Sequence, residues 1–164
     1  EDSVAPESKV AARENVAAAL RQGDYGYREI AIRVNGLNSP WFNDDIAICA
    51  VARADAIVLP KAESAEDIAQ ICDALRRCGA PENVKVWAMI ETPLAILRAG
   101  EIAGAARHAR SRLACLIVGL NDLAKETRIE IDPTRSCLLY TSDAADDLPC
   151  VDLGGRRIIK KKKR

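Results

Sequence analysis

One histidine, one methionine, one phenylalanine and no Cys-x-x-Cys pair set the first limits on this 164-residue chain. The single histidine, His108, falls in a helical stretch away from any strand end, so no Cys/His nucleophile arrangement is available. Six cysteines occur, and the four in the body (Cys49, Cys72, Cys78, Cys115) lie in apolar helix or strand patterns. Buried thiols are therefore expected, not disulfides or zinc ligands. Gly36 and Gly119 match no phosphate-loop spacing. No run reaches the ~18 apolar residues of a membrane span, and no signal peptide is visible, so a soluble cytoplasmic protein is expected. The chain opens on Glu1-Asp2 without a methionine, which suggests a cut N-terminus.

Formal net charge is zero, but its distribution is uneven. Residues Cys137–Arg164 hold seven of the 24 basic and four of the 24 acidic residues, leaving 17 against 20 in the body, a charge of about −3. Such a body offers no electrostatic footprint for nucleic acid.

What is present is an apolar fraction of 49%, enough for one domain with a core. Pro6–Arg21 is an alanine-rich helix pattern with Gly23 beyond its end, and Arg28–Asn35 follows as a strand whose period of 2 puts Ala31, Arg33 and Asn35 on one face. Asn43–Ala52 is a short helix, and Ala56–Lys61 a strand with Ile57, Leu59 and Lys61 on one side. Ser64–Cys78 is the clearest helix. Ser64 and Asp67 form a capping-box pattern, Ile68, Ile71, Cys72 and Leu75 make the apolar stripe, and Gly79 stops it. Val84–Pro93 reads as a buried strand ending on Glu91, with Thr92-Pro93 opening a helix to about Arg110. Leu113–Gly119 is the last strand, containing Cys115 as core, and Asn121 can cap a helix from Asp122.

Short apolar strands alternating with helices every 25–30 residues imply a parallel sheet with both faces covered, either doubly wound or a (β/α)8 barrel. Four strands are complete, and Glu1–Val4 looks like the end of another. A closed barrel takes about 250 residues, so the pattern is a partial barrel, roughly strands 2 to 6 of eight. Trp87 is expected behind the barrel wall, and Trp41 at the mouth of the site.

In such folds ligands bind at the C-terminal ends of the strands. Glu91 and Asp122 stand at neighbouring strand ends, and two carboxylates suit a hard divalent cation such as Mg²⁺. The alternative is that Asp122 stabilises a helix N-terminus and Glu91 pairs with a basic neighbour; the residues alone leave both open. Arg33 on an inner strand needs a partner, either substrate oxygen or an acid such as Glu1 or Asp2. Lys61 meets a phosphate or substrate, or bridges these acids.

In order, the strand ends read EDSVAP (1–6), RVNG (33–36), LPK (59–61), MIETP (89–93) and VGLNDLAKE (118–126). As a set they resemble the HpcH/HpaI aldolase/citrate lyase family over Glu1 to about Arg128, and specifically its CoA-ester lyase branch of citrate lyase β-subunits and malyl-CoA and citramalyl-CoA lyases. The aldolase branch carries a histidine motif where this chain has EDSVAP. The resemblance implies an Mg²⁺-dependent carbon–carbon lyase, with Mn²⁺ as a substitute ion, acting on a 3-hydroxyacyl-CoA of citryl, malyl or citramalyl type by Claisen-type cleavage or condensation. It assigns Glu91 and Asp122 to the metal and Arg33 to the developing oxyanion. Glu1, Asp2, Asn35 and Lys61 become outer or substrate contacts. Its partners are a CoA ester and a 2-oxo acid, with a homo-oligomer in the full-length protein and a general base from the C-terminal part or a neighbouring subunit. The alternatives are a CoA-independent metal-dependent 2-oxo-acid aldolase, or an inactive truncated remnant.

From Cys137 the β-α rhythm stops. Reverse-translated, CLLYTSDAAD fits TGT CTC TTA TAC ACA TCT GAC GCT GCC GAC, which resembles a transposase sequencing adapter; VDLGGRRII fits the primer region downstream. The expected division is a lyase fragment over 1–136 and a non-native basic tail over 137–164, the fragment itself being inactive.

Overall fold

The computed structural model describes residues 4–23, 25–51 and 54–128. The capping box at Ser64 shows how directly the sequence dictates one of its helices. Asp67 donates its backbone N–H to Ser64 Oγ at 3.2 Å, and Ser64 returns its own N–H to Asp67 Oδ2 at 3.0 Å. The two bonds satisfy amides that a helix start otherwise leaves unpaired. Ile68, Ile71, Cys72 and Leu75 of this helix are buried, and Gly79 beyond it takes a φ of 71°.

Among the described residues twelve elements follow one another. The helices are α1 (Lys9–Gln22, entered through a 3-10 turn at Pro6–Ser8), α2 (Phe42–Val51), α3 (Ala65–Arg77), α4 (Pro93–Leu97), α5 (Ala99–Gly104, followed by a 3-10 turn at Ala105–Arg107) and α6 (Leu120–Thr127). The strands β1 (Ala31–Arg33), β2 (Ala56–Leu59), β3 (Lys85–Ile90) and β4 (Leu113–Val118) form one parallel sheet in the order β1-β2-β3-β4. Sequential order without a reversal is the arrangement of a barrel wall; a doubly wound sheet has a switch point where the order turns back. Helices pack one face of the sheet. Ile32, Ile57, Leu59, Val86, Ala88, Ile90 and Leu113 join α2, α3 and α5 residues such as Ile46, Ile71 and Ile102 in the core.

Several element bounds differ from the sequence expectation because backbone amides go elsewhere. Arg28 N–H turns back to the Tyr25 carbonyl at 3.3 Å, and Asn35 N–H is taken by Asp45 Oδ2 at 2.9 Å, so β1 keeps only three residues. The period-2 face of Arg33 therefore does not extend to Asn35. β2 ends at Leu59, and Lys61 lies in a turn with φ 49°, so it does not continue the Ile57–Leu59 face. The helix expected from Pro93 to about Arg110 splits at Arg98 (φ −102°, ψ 9°). Gly100 and Gly104 each lower its helical stability by about 1 kcal/mol. Asn121 does not cap α6: Gly119 holds the cap position, and Asn121 and Asp122 lie in the first turn.

Burial also revises the cysteine and tryptophan readings. Cys49, Cys72 and Cys115 are buried, as expected, whereas Cys78 at the end of α3 is exposed. Trp87 stands in register with Val58 and Arg33, on the face turned away from the helices, and not behind the wall. Lys9 Nζ lies 5.3 Å from the centre of the Trp41 ring. No helix among the described residues is long and apolar enough to cross a membrane.

Candidate active site

Glu91 follows the last residue of β3 and is buried, with only 3% of its surface exposed. Its Oε1 accepts the backbone N–H of Lys61 at 2.9 Å, from the turn after β2. On the other side lies Gly119, the residue after β4: a Cβ placed there would come within 2.6 Å of both Glu91 Cβ and Oε2. Glycine is therefore required for Glu91 to occupy this place. The strand ends are tied together by Ala62 N–H donating to the Met89 carbonyl at 3.2 Å and Gly119 N–H to the Ile90 carbonyl at 3.0 Å.

Thr92 fixes the start of α4. Its Oγ1 accepts the Ala95 N–H at 3.1 Å and donates to Glu63 Oε1 at 2.7 Å. The short β3–α4 connection is thus held against the β2–α3 loop, with Glu91 between them. The sequence reading does not single out Glu63 and takes Gly119 only as matching no phosphate-loop spacing; an isolated Glu and an isolated Gly at strand exits carry no local signal for these contacts.

Asp122 lies half-buried in the first turn of α6, three residues after Gly119. Glu91 and Asp122 are thus on adjacent strand–helix junctions at the same edge of the sheet. Arg33 ends β1, half-buried, in register with Val58 and through it with Trp87. Glu91 comes four positions later than Trp87. Arg33 and Glu91 are therefore separated by two strands, about 10 Å across the sheet, with Glu91 further towards its C-terminal edge.

The structure does not bring Asn35 into this group. Its amide accepts Lys9 Nζ at 2.6 Å through Oδ1 and donates through Nδ2 to Asp45 Oδ2. Arg13 Nε meets the other Asp45 oxygen at 2.9 Å. This buried Lys9–Asn35–Asp45–Arg13 chain joins α1, the β1 exit and α2. The Lys61 side chain is exposed, and what reaches Glu91 is its backbone N–H. Glu1 and Asp2 lie outside the described residues.

Among the described residues no group of three or more His, Cys, Asp or Glu side chains is placed to hold a metal ion. A two-carboxylate, all-oxygen donor set nevertheless fits Mg²⁺, which keeps several waters and takes one or two protein carboxylates. Glu91 satisfies the further requirement that a ligating carboxylate be oriented by its own hydrogen bond.

Comparison with known proteins yields consistent likenesses. The family model described as HpcH/HpaI aldolase/citrate lyase matches residues 1–146. A (3S)-malyl-CoA thioesterase of Cereibacter sphaeroides is 40% identical over 138 residues, covering 84% of this chain and 45% of that protein. A citrate lyase subunit beta of Escherichia coli is 37% identical over 145 residues, covering 85% and 47%. Among solved structures, the citrate lyase beta subunit from M. tuberculosis complexed with oxaloacetate and magnesium superposes with a TM-score of 0.58 at 28% identity, covering 79% of this chain and 50% of the other. The chain spans about half the length of the curated relatives it matches.

Proposed function

We propose, because this chain belongs to the HpcH/HpaI aldolase/citrate lyase family, that it forms part of an Mg²⁺-dependent carbon–carbon lyase acting on a 3-hydroxyacyl-CoA of malyl, citramalyl or citryl type. The observation that carries the reading is the buried Glu91 carboxylate, oriented from both sides at the C-terminal edge of a parallel sheet, beside the helix that bears Asp122. Glu91 and Asp122 would hold the cation, and Mn²⁺ would substitute. When bound, the ion supplies Lewis-acid polarisation of the 2-oxo or 3-hydroxy oxygen.

The chain's own residues do the rest. In the cleavage direction the C3 hydroxyl proton is lost to a base, the C2–C3 bond breaks, C3 becomes the carbonyl of the 2-oxo acid, and the electron pair passes to the thioester as an enolate, which takes up a proton at C2 to leave the shorter acyl-CoA. Arg33 stabilises the oxygen on which charge grows, which is worth most in a water-poor site. Lys61, exposed at the rim, has a side chain suited to a CoA phosphate. Glu1 and Asp2 would steady metal-bound water, and Asn35 supports the β1 exit through its bonds to Lys9 and Asp45. A CoA ester as substrate puts the activity in the cytoplasm, in a homo-oligomer whose remaining strands or neighbouring subunit supply the base. Residues 137–164 stand outside the lyase fold in this reading, as adapter-derived sequence. The family match runs to 146, past that boundary, and resequencing the source locus across Arg135–Cys137 decides it.

A thioesterase is the second reading, favoured by the 40% identical relative of that name. One assay separates the readings: malyl-CoA, citramalyl-CoA, citryl-CoA and CoA-free hydroxy acids are offered separately to the full-length protein with and without Mg²⁺. A 2-oxo acid, trapped as its hydrazone, with the thioester intact supports the lyase. Free thiol without 2-oxo acid supports the thioesterase. A 2-oxo acid formed only from CoA-free hydroxy acids means the aldolase, and no turnover of any means a remnant.

A further inference from the structure

Lys61 is one of two non-glycine residues with positive φ among the described residues, at 49°. L residues leave this conformation largely to glycine, because Cβ crowds the neighbouring carbonyl. Such a residue persists where its surroundings over-determine it, and it clusters at functional sites. Here the left-handed residue reverses the chain after Pro60, and two successive amides of the turn reach across to β3. Lys61 N–H bonds Glu91 Oε1 at 2.9 Å, and Ala62 N–H bonds the Met89 carbonyl at 3.2 Å. One amide fixes the backbone of β3; the other fixes the side chain that follows it.

The opposite side is closed by an absence. With no Cβ at Gly119, the β4–α6 junction lies flat on Glu91, close enough that a methyl group would meet Cβ and Oε2 at 2.6 Å. Glu91 is thus held with Oε1 towards the β2 turn and Oε2 towards the junction from which Asp122 projects in the next turn. We propose that the Lys61 peptide N–H and the bare backbone of Gly119 form a clamp that selects the carboxylate geometry Glu91 offers to a divalent cation, so that Lys61 positions Glu91 by its backbone, independently of its side chain. The inference rests on the metal reading above for its consequence and on geometry alone for its existence.

Two measurements on the full-length protein test it separately. Amide hydrogen exchange reads the clamp without metal: Glu91→Ala should speed exchange at Lys61 at least tenfold while Ala62 changes less than twofold. Mg²⁺ titration reads the consequence. Lys61→Ala and Lys61→Gly, which both keep the N–H, should bind Mg²⁺ within twofold of the unsubstituted protein. Lys61→Pro, which lacks the N–H and whose ring cannot take the φ of 49°, so that amide and turn are lost together, should bind at least tenfold more weakly, within the ~10–100-fold range for loss of a group that orients a metal ligand. Gly119→Ala should weaken binding similarly while Val86, whose N–H bonds the Arg112 carbonyl at 2.8 Å, keeps its exchange protection. Equal losses in Lys61→Ala and Lys61→Pro would assign the role to the side chain and overturn the proposal, as would normal binding by Gly119→Ala. Unchanged Lys61 exchange in Glu91→Ala would overturn the clamp whatever the metal does. Faster exchange together with no Mg²⁺ binding by the unsubstituted protein would support the clamp and overturn the metal reading.

Discussion

Cys72 and Cys78 lie six positions apart along α3 and its C-cap, yet they are different chemical groups. Cys72 is buried in the core, where its Sγ accepts the Arg112 N–H at 3.3 Å, while Cys78 is exposed. Burial pushes the Cys72 thiol above its ordinary 9.0, and the Arg112 amide and the charges of Arg76 and Arg112 offset this only in part. Since the thiolate is the nucleophile, Cys78 should be alkylated first by iodoacetamide at pH 8, with Cys72 modified only on unfolding. Peptide mapping of a time course checks this; equal rates would mean that α3 opens easily. A raised folded pKa also has a definite sign: the contribution of Cys72 to stability is constant below the unfolded value near 9.0 and is lost as pH rises through the folded one. At this scale the sequence was partly legible. Glu91 and Asp122 stand out because a carboxylate at the end of an apolar strand is conspicuous. The Lys61 amide was not legible, because the direction of an N–H depends on a φ of 49° that lysine does not announce. Asn35 was placed with Arg33 because alternation was carried past the point where Asp45 captures the backbone.

Among the elements, α1 is anchored by charge: its buried residues are Lys9 and Arg13. Asp45 of α2 is the hub, since one carboxylate accepts Arg13 Nε, the Asn35 N–H and the Asn35 side-chain amide. Asp45→Ala strands all three donors, and Arg13 Nη2 already has no partner within the described residues. Breaking one side of a buried pair costs about 3–5 kcal/mol, and the loss here should reach that range in urea unfolding of the full-length protein. Arg13→Met should cost less, because Asp45 keeps both bonds from Asn35; equal losses would show that the helix–helix ion pair dominates. The cap of α3 is a smaller, local matter. Ser64→Ala should lower stability by about 1 kcal/mol and Ser64→Gly by only a few tenths, measured by the same unfolding curves. The two helices mark the limits of pattern reading. α3 has a cap, a stripe and a stop that agree, and its bounds follow. α1 has only composition, and composition does not say which long polar side chains will find buried partners.

For the whole molecule, the decisive feature is that the sheet among the described residues has two open sides, β1 and β4, each paired on one edge only. In a closed (β/α)8 barrel every strand has two neighbours, and the site at the strand ends is completed by loops from all around the ring. A lone four-stranded parallel sheet leaves rows of N–H and C=O groups unpaired at β1 and β4, and such edges recruit other chains. Among the described residues no opposite wall covers the face bearing Arg33, Trp87 and Met89; Trp87 and Met89 are half-exposed although they alternate with fully buried neighbours. A parallel sheet covered by helices was legible from the rhythm of short apolar strands, since that rhythm is set locally. Closure was not, because it depends on chain that pairs with β1 and β4. The 164-residue chain on its own should therefore self-associate at micromolar concentration, melt without cooperativity and yield no 2-oxo acid from malyl-CoA. The same residues within a chain of the relatives' full length should elute as a defined oligomer and gain melting temperature with Mg²⁺. Light scattering after size exclusion and thermal melts with and without the ion make the comparison. A sharp, Mg²⁺-raised melt of the 164-residue chain alone would mean that its edges are closed by pairing between copies, and the barrel would then be completed by assembly instead of by further chain.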